Sequence, residues 1–252
     1  MTTSFTRSLV QRAVSDARRV VDHFGFHLPE FGSWSPEQWE EAGPEWNPVR
    51  ERMLGWDVTD FGSGSFHEIG RVLFTLRNGS AGNIANRVYA EKLLIDPEGQ
   101  RAPAHYHRSK CEDIVCRCGG NILVQLTATD PEGNPARGRL AIELDGAART
   151  IASGETVRLA PGRSVTIPPR TIHQFWGEEG TGWQMDGLGY TLSSEISSTC
   201  DDWNDNVFLA AAERFPSLQE DEARCLYLCH EYPKTTFREA PLQETPPHPV
   251  EA

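Results

Sequence analysis

Residues 99–119 read Gly99-Gln-Arg-Ala-Pro-Ala-His-Tyr-His-Arg-Ser-Lys-Cys-Glu-Asp-Ile-Val-Cys-Arg-Cys-Gly119. Within this stretch His105 and His107 stand two positions apart, and Glu112 follows five residues later. Because residues i and i+2 of a strand point to one face, both imidazoles can converge on one point. A carboxylate from the adjoining strand, after a short loop, can close a third side. The stretch therefore predicts two adjoining strands that carry three candidate metal ligands.

A fourth candidate ligand, His173, lies far along the chain, where a turn at Pro168-Pro-Arg leads into another strand. Three imidazole nitrogens and one carboxylate oxygen suit a divalent first-row metal such as Mn, Fe, Ni or Zn. The alternative is a pair of histidines that alternate by chance, but Glu112 and His173 in register favour a metal site. The other histidines are interpreted as structural or solvated: His23, His27, His67, His230 and His248.

The spacing of glycines and ligands resembles the two motifs of the cupin superfamily. The first motif is Gly99-x5-His105-x-His107-x4-Glu112-x6-Gly119, and the second is Gly162-x5-Pro168 followed by His173. The sequence departs from the usual pattern at Arg170, where a glycine is common, and at Gly177, where an asparagine is common. Both are turn or packing positions, so no ligand is lost. The resemblance implies a mainly β fold, the double-stranded β-helix or jelly-roll barrel.

The rest of the chain predicts helices before the barrel and strands within it. Residues 2–24 have apolar side chains at helical spacing and end at Gly25, which predicts one amphipathic helix. Ser35-Pro-Glu-Gln38 has the form of a helix start. The four tryptophans of this region are interpreted as packing anchors. Short β-branched and aromatic runs from Arg71 onward predict many strands.

These patterns divide the chain into one structural domain with three parts. Residues 1–70 are predicted to form an N-terminal helical layer, residues 71–232 the barrel with its metal site, and residues 233–252 a loose tail. Within the barrel segment, strands are also predicted at 182–192 and 223–232, with a short helix at 207–215. Cys116 and Cys118 are expected to face the same side of a strand as small buried residues.

Composition excludes several classes of protein. Of 252 residues, 36 are acidic and 24 basic, for a formal charge of -12, which argues against a nucleic-acid partner. No apolar run approaches the roughly 18–20 residues that a membrane span needs. The first residues lack the pattern of a secretory signal, so a cytoplasmic location is expected. The six cysteines form no C-x-x-C pair of a structural zinc site.

Longer stretches resemble the D-lyxose isomerase family of sugar ketol-isomerases. The resemblance runs in order from about Leu28 to Tyr232, through 54–62, 73–80, 89–92, the segment 105–121, Phe175-Trp176 and Glu195-Ile-Ser-Ser. It implies a homodimer that holds Mn²⁺, with Co²⁺, Fe²⁺, Ni²⁺ or Zn²⁺ as other candidates. The implied reaction interconverts an aldose and its 2-ketose, namely D-lyxose with D-xylulose and D-mannose with D-fructose.

Candidate catalytic and sugar-binding residues surround the predicted metal site. Lys110 lies between His107 and Glu112, and Glu195 is expected to end a strand beside an acidic loop. We expect these two residues to share the acid and base roles. By resemblance and strand position, the substrate-binding residues are expected to be Lys92, Trp176 and Asp205.

Two rival functions fit the same ligand set. An iron-dependent cupin oxygenase would use the four ligands to activate O₂, and a non-catalytic cupin would bind a sugar without converting it. A phosphorylated sugar is less expected, because the sequence has no glycine-rich phosphate loop and no basic cluster near the ligands.

Overall fold

The computed structural model describes residues 5–80 and 87–234. Residues 235–252, which make up most of the predicted tail, lie outside the described residues together with 1–4 and 81–86. Helix α1, Arg7–His23, confirms the predicted amphipathic helix. Thr6 caps its start by accepting from the Leu9 amide, and Gly25 follows its end with φ +65°. A positive φ costs glycine little, which explains the stop at this position.

The described residues contain two further short α-helices, two 3₁₀ helices at Glu30–Ser33 and Pro44–Trp46, and fifteen strands. The α-helices are α2, Pro36–Glu41, and α3, Asn47–Glu51. The strands are β1 Gly55–Thr59, β2 Arg71–Arg77, β3 Tyr89–Pro97, β4 His105–His107, β5 Glu112–Cys118, β6 Ile122–Thr129, β7 Pro135–Ala136, β8 Arg139–Leu144, β9 Ala147–Ala152, β10 Glu155–Leu159, β11 Ser164–Ile167, β12 Ile172–Gly177, β13 Trp183–Met185, β14 Leu188–Ser198 and β15 Asn206–Phe208.

The strands form two antiparallel sheets that share one core. The larger sheet has the order β1-β2-β3-β14-β5-β11-β8-β9 with β13 on β14, and the smaller has β10-β6-β12-β4-β15 with β7 on β6. Leu94 of β3, Ile114 of β5, Val124 of β6 and Phe175 of β12 belong to one buried cluster between the sheets. This is the double-stranded β-helix predicted from the two motifs.

The helical layer covers the outer face of the larger sheet. Val10, Val14 and Val21 of α1 pack with Phe74 of β2 and Ile95 of β3 in a second buried cluster. Because one face of β2 and β3 meets the helices and the other faces the inner core, both strands are buried along most of their length.

The tryptophans of the helical layer are packing residues, as predicted. Trp39 and Trp56 are almost fully buried, and Trp34 and Trp46 pack edge-on with ring centroids 4.5 Å apart. The predicted helix start is also confirmed, since Ser35 and Gln38 exchange both hydrogen bonds of a capping box. These contacts fix the entry of the chain into the barrel.

A β-bulge at Arg117 separates two registers of the β5–β14 ladder. Ser193 pairs with Cys116, whereas Leu192 pairs with Cys118, so Arg117 is the extra residue. Cys116 consequently lies in the inner core, while Cys118 packs on the outer cluster. The expectation that both thiols share a face is therefore wrong, because a bulge inverts the alternation of side chains.

Other sequence expectations differ from the structure at three places. Residues 206–208 form strand β15 on the edge of β4, and the predicted helix at 207–215 is absent from this described segment. The segment 223–232 consists of turns and irregular chain instead of the predicted strand. The predicted strand at 182–192 is confirmed as the β13–β14 hairpin. Strand β1 falls inside the segment predicted as helical and pairs with β2.

Among the described residues, no helix has both the length and the apolar character needed to cross a bilayer.

Candidate metal centre

The short strand β4 carries two of the predicted metal ligands at the open end of the smaller sheet. His105 pairs with His173 of β12 on one side and with Phe208 of β15 on the other. The imidazoles of His105, His107 and His173 each offer a nitrogen, and these nitrogens all lie within 4.8 Å of one another. The structure therefore brings together three histidines that span 68 positions of the sequence, from His105 to His173.

The tautomers of two of these histidines are set by the backbone. His105 Nδ1 lies 2.8 Å from the Pro103 carbonyl oxygen, and His173 Nδ1 lies 2.9 Å from that of Thr171. A carbonyl oxygen only accepts, so each Nδ1 carries the ring proton and donates it. The Nε2 atoms are then left with lone pairs that point to the shared centre.

Glu112, at the start of β5, supplies the carboxylate expected beside the histidines. Its Oε1 atom lies 2.9 Å from His173 Nε2, and its Oε2 atom lies 3.4 Å from His107 Nε2. Neither Glu112 Oε1 nor either nitrogen of His107 has a hydrogen-bond partner among the described residues. Buried polar atoms without partners are rare in folded proteins. A cation at the centre would provide that partner, so the four side chains fit a divalent metal.

The protonation states of these groups also suit a cation. Burial, reinforced by His173 and His107, holds the pKa of His105 well below its usual range. Burial and the Lys110 ammonium lower the pKa of His107 as well. Burial would raise the pKa of Glu112, but Lys110 and the histidines outweigh it and bring the pKa well below its usual range. Neutral imidazoles and an ionised carboxylate are the forms that bind a metal.

Lys110 and Glu195 form an ion pair beside Glu112. The Lys110 Nζ atom lies 2.6 Å from Glu195 Oε1 and 2.7 Å from Glu112 Oε2. Burial acts to lower the pKa of Lys110, yet the two carboxylates more than offset it and raise the pKa well above its usual range. The pair thus places a buried ammonium and a second carboxylate next to the candidate ligands.

The charges continue in alternating sign away from the ligands. Lys92, the cross-strand neighbour of Glu195, has its Nζ 3.9 Å from Glu195 Oε1 and 3.2 Å from Asp202 Oδ1. Asp202 lies 3.2 Å from Arg214 Nη2, and the same nitrogen bonds Asp57. This charge chain, from Glu112 through Lys110, Glu195, Lys92, Asp202 and Arg214 to Asp57, is buried along most of its length. Its alternating signs offset part of the cost of burying charge.

Asp205 does not line the cavity above the ligands. Its Oδ1 accepts from the amide and hydroxyl of Ser109 at 2.9 and 2.7 Å, and its Oδ2 accepts from the Lys110 amide at 3.1 Å. These bonds occupy the carboxylate and fix the loop that carries Lys110. The structure therefore places Asp205 as a support for the loop of Lys110, and the predicted contact of Asp205 with the sugar stays a prediction.

Trp176 also lies away from the ligands. His173 and Phe175 face the cavity from alternate positions of β12, so Trp176 points to the other side. There its ring stacks under the Arg101 guanidinium, 4.3 Å from the ring centroid. The structure thus places Trp176 on the face of β12 that is turned away from the cavity, and a sugar contact at this residue stays a prediction.

The cavity is also lined by residues that no sequence pattern predicted. Arg71 lies 4.2 Å above the Phe175 ring and pairs with the buried Asp96, while its Nη2 has no partner among the described atoms. Sequence offered a weak signal for Arg71, since a charged residue opening a buried strand needs a partner. The other newly found lining residues are Phe61, Asp202, Asn206, Phe208 and Arg214.

The two departures from the cupin pattern have structural explanations. Arg170 has φ +60°, the left-handed conformation that favours glycine, and its amide donates to the His107 carbonyl. Its side chain donates to the carbonyls of Asp130 and Pro131 at 3.1 and 2.7 Å. At Gly177, a Cβ atom would lie 3.0 Å from a methyl of Thr191. An asparagine at this position would crowd β14.

Comparison with known sequences gives matches over almost the whole chain. A family model described as D-lyxose isomerase matches residues 5–232. A D-lyxose/D-mannose isomerase of Serratia proteamaculans is 40% identical over 227 residues, which are 89% of this chain and 96% of that protein. A D-lyxose/D-mannose isomerase of Escherichia coli O157:H7 is 39% identical over 228 residues, 90% of this chain and 97% of that one.

Solved structures match the fold at much lower sequence identity. The L-ribose isomerase of Acinetobacter sp. DL28 in complex with L-ribose has a TM-score of 0.57 and 16% identity, covering 87% of this chain and 99% of that one. The L-ribose isomerase of Cellulomonas parahominis with L-ribose has a TM-score of 0.54 and 16% identity, covering 87% and 100%. These similarities support the fold alone.

Proposed function

The chain belongs to the D-lyxose isomerase family and is a sugar ketol-isomerase, and we propose that it interconverts D-lyxose with D-xylulose and D-mannose with D-fructose. Two relatives at about 40% identity bear the name D-lyxose/D-mannose isomerase, which supports both sugar pairs. The two aldoses share their configuration at C2, C3 and C4, so one set of hydroxyl contacts can serve both. The proposed sugars are free, because the four basic side chains that line the cavity are each paired with a carboxylate already: Arg71, Lys92, Lys110 and Arg214.

The proposed cofactor is a divalent cation, Mn²⁺ in first place, held by His105, His107, Glu112 and His173. The observation that carries this proposal is the convergence of three imidazoles, two of them buried, beside Glu112, with unpartnered polar atoms at the centre. Co²⁺, Fe²⁺, Ni²⁺ and Zn²⁺ suit the same mixed set of donors. When bound, such a cation would polarise the sugar carbonyl and stabilise negative charge on its oxygen.

The proton transfers are assigned to the Lys110–Glu195 pair. Glu195 takes the proton from C2 of the aldose, and the C–H electron pair forms the C1–C2 double bond of an enediolate. The same proton, or one from solvent, then returns to C1, while the hydroxyl proton of O2 passes to O1. Lys110 donates a hydrogen bond to the oxygen on which charge develops, and Asp205 keeps Lys110 in place. Composition is unchanged, so no oxidant or reductant is required.

Lys92 is proposed to bind a sugar hydroxyl. It lines the cavity beside Glu195, and it is almost fully buried. A hydroxyl that reaches it meets a fixed donor, because Asp202 holds the ammonium in position. Unmatched buried polar groups cost about 1–3 kcal/mol, so such contacts discriminate among sugars that differ at one carbon. A homodimer and a cytoplasmic location stay predictions of the sequence.

The proposal is tested by removing all metal and restoring one cation at a time. We expect ketose formation from D-lyxose and D-mannose only in the reloaded protein, without consumption of oxygen. Oxygen uptake by the iron-loaded protein would instead indicate an oxygenase. Sugar binding without turnover at saturating Mn²⁺ would contradict the enzymatic proposal. Activity that survives complete metal removal would contradict the proposed cofactor.

A further inference from the structure

A second group of metal-ligating side chains lies outside the cavity described above. Asp57, Cys229 and His230 each offer one ligand atom, and these atoms all lie within 4.8 Å of one another. The group is held together by the backbone, because the Cys229 amide donates to the Trp56 carbonyl at 2.7 Å. Asp57 lies in the middle of β1, so this strand and the C-terminal segment meet at this point.

One oxygen of the Asp57 carboxylate takes no part in its ion pair with Arg214. The residue is 1% exposed, and its Oδ2 accepts from Arg214. Its Oδ1 is buried and has no hydrogen-bond partner among the described residues. A buried acceptor left in this state destabilises the fold. The unused oxygen therefore indicates a missing partner, either a water molecule or a cation.

The group can be reached from solvent. Cys229 and His230 line an open cavity of about 440 Å³ at the surface, together with Asn47, Arg50 and Tyr232. His230 is exposed, whereas Cys229 and Asp57 are buried. A small cation can therefore enter from the His230 side and meet the thiol and the carboxylate below it.

We propose that Asp57, Cys229 and His230 form a second cation site for a borderline metal of the Zn²⁺ class. Thiolate, imidazole and carboxylate are the donors that Zn²⁺ and Co²⁺ prefer, and three protein ligands leave a fourth position for water. Binding would release the thiol proton of Cys229. The sulfur distinguishes this site from the histidine centre, which contains only nitrogen and oxygen donors.

Arg214 connects the second site to the catalytic cavity. It lines that cavity and bonds both Asp57 and Asp202. Its charge is already shared by two carboxylates, so it does not exclude a cation from Asp57 Oδ1. A bound cation would contact the same Asp57 carboxylate as Arg214 does. The Arg214 side chain lies between this site and the sugar pocket.

The test uses Co²⁺ as a spectroscopic probe on the full-length protein. A thiolate bound to Co²⁺ gives an intense near-ultraviolet charge-transfer band, which nitrogen and oxygen ligands do not give, so Co²⁺ that enters the histidine centre does not contribute to it. We expect this band to rise and saturate at the intensity of one thiolate-bound Co²⁺ per chain in the original protein. It should be absent in Cys229→Ser, which keeps the size of the side chain.

Two further variants control for misfolding and for the binding of Co²⁺ by another thiol. His230→Ala changes an exposed side chain, and we expect it to weaken Co²⁺ binding at this site by about tenfold or more. Cys225→Ser removes an exposed thiol four residues away and should leave the band unchanged. The proposal is overturned if the original protein shows no band, if the band persists in Cys229→Ser, or if His230→Ala binds as tightly.

Discussion

The Nε2 atom of His173 lies 2.9 Å from the Oε1 atom of Glu112, and the ring proton of His173 is on the opposite nitrogen, bonded to Thr171. An ionised carboxylate has no proton to give either. Two lone pairs that face each other at this distance repel one another unless a positive charge lies between them. The pair is therefore arranged for a cation.

From this relationship we expect His173→Ala to lose Mn²⁺. The affinity of this variant for Mn²⁺ should fall by at least about tenfold, since removing a residue that only positions a metal ligand already lowers metal affinity that much. Titration calorimetry with Mn²⁺ measures the affinity, and metal-dependent stabilisation against heat gives a second readout. Trp176→Phe, on the other side of β12, is the matched control and should bind Mn²⁺ normally. Unchanged affinity in His173→Ala would refute the assignment.

Glu195→Gln should retain Mn²⁺ and lose catalysis. The amide has nearly the same shape as the carboxylate but cannot accept the C2 proton, so kcat should fall by about 10²–10⁴. Turnover in D₂O gives an independent readout, because exchange of the transferred hydrogen with solvent should disappear as well. Full kcat in this variant would show that another group is the base.

Lys110→Met is expected to keep the metal with strongly reduced kcat.

Asp205→Asn should lower kcat more than it changes KM. Asparagine keeps an oxygen for Ser109, but its NH₂ group cannot accept from the Lys110 amide, at present 3.1 Å from Oδ2. We expect roughly a tenfold fall in kcat, since a lost charged hydrogen bond is worth about 1.5–3 kcal/mol. Asp201→Asn is the control, because Asp201 accepts only within its own turn, from Trp203 and Asn204. A large rise in KM with constant kcat would instead favour a sugar contact.

Arg170→Gly should be more stable than Arg170→Ala by about 1 kcal/mol. Both variants lose the same hydrogen bonds to the carbonyls of Asp130 and Pro131. Only alanine keeps the strain of φ +60°, which costs about 1–2 kcal/mol, offset in part by the greater unfolded freedom of glycine. Urea unfolding of the two variants measures the difference. Equal stability would mean that the backbone relaxes once the arginine is gone.

Glu220→Gln should reduce stability at neutral pH and have no effect in strong acid. Hydrogen bonds from Arg7 lower the pKa of Glu220 from 4.5 to about 2. A carboxyl with a lowered pKa stabilises the fold above its ordinary pKa, and the contribution is lost as pH falls from about 4.5 to about 2. Solvent screens this half-exposed side chain, so we expect under about 1 kcal/mol.

Chemical denaturation across this pH range measures the effect. The gap between the original protein and Glu220→Gln should narrow as pH falls and vanish near the lower limit. Glu132→Gln, an exposed glutamate in a surface turn, should show no such pH-dependent gap. A gap that stays constant down to the lowest pH would exclude the ionised Glu220 as its cause.

Local rules were enough to predict the barrel and the convergence of its ligands. The period-2 rule placed His105 and His107 together, and the cap residues Ser35 and Gly25 marked two helix ends correctly. The same rule, applied from His173, puts Trp176 on the opposite face of β12 from the metal ligand. The contact of Asp205 with loop 109–110 could not be predicted in this way, because it depends on how a distant segment folds back.

Sequence alone also could not supply the charge chain. Arg71, Asp202 and Arg214 are ordinary surface residue types, and only the sheet register brings them inside the barrel. The same holds for Asp57, Cys229 and His230, which come from β1 and from the C-terminal segment. Residues separated by more than 150 positions give no local pattern that predicts their meeting.

The extra residue at Arg117 divides the β5–β14 ribbon into two lengths that can change independently. On the side of Glu112 and Glu195, the pairing of neighbours determines where the reacting groups stand. On the side of Leu192 and Cys118, the pairing only determines how the barrel meets its helical cover. The part of the ladder on the side of Leu192 and Cys118 can therefore be redesigned for heat tolerance without moving the groups that handle the sugar, provided that Arg117 is kept as the extra residue.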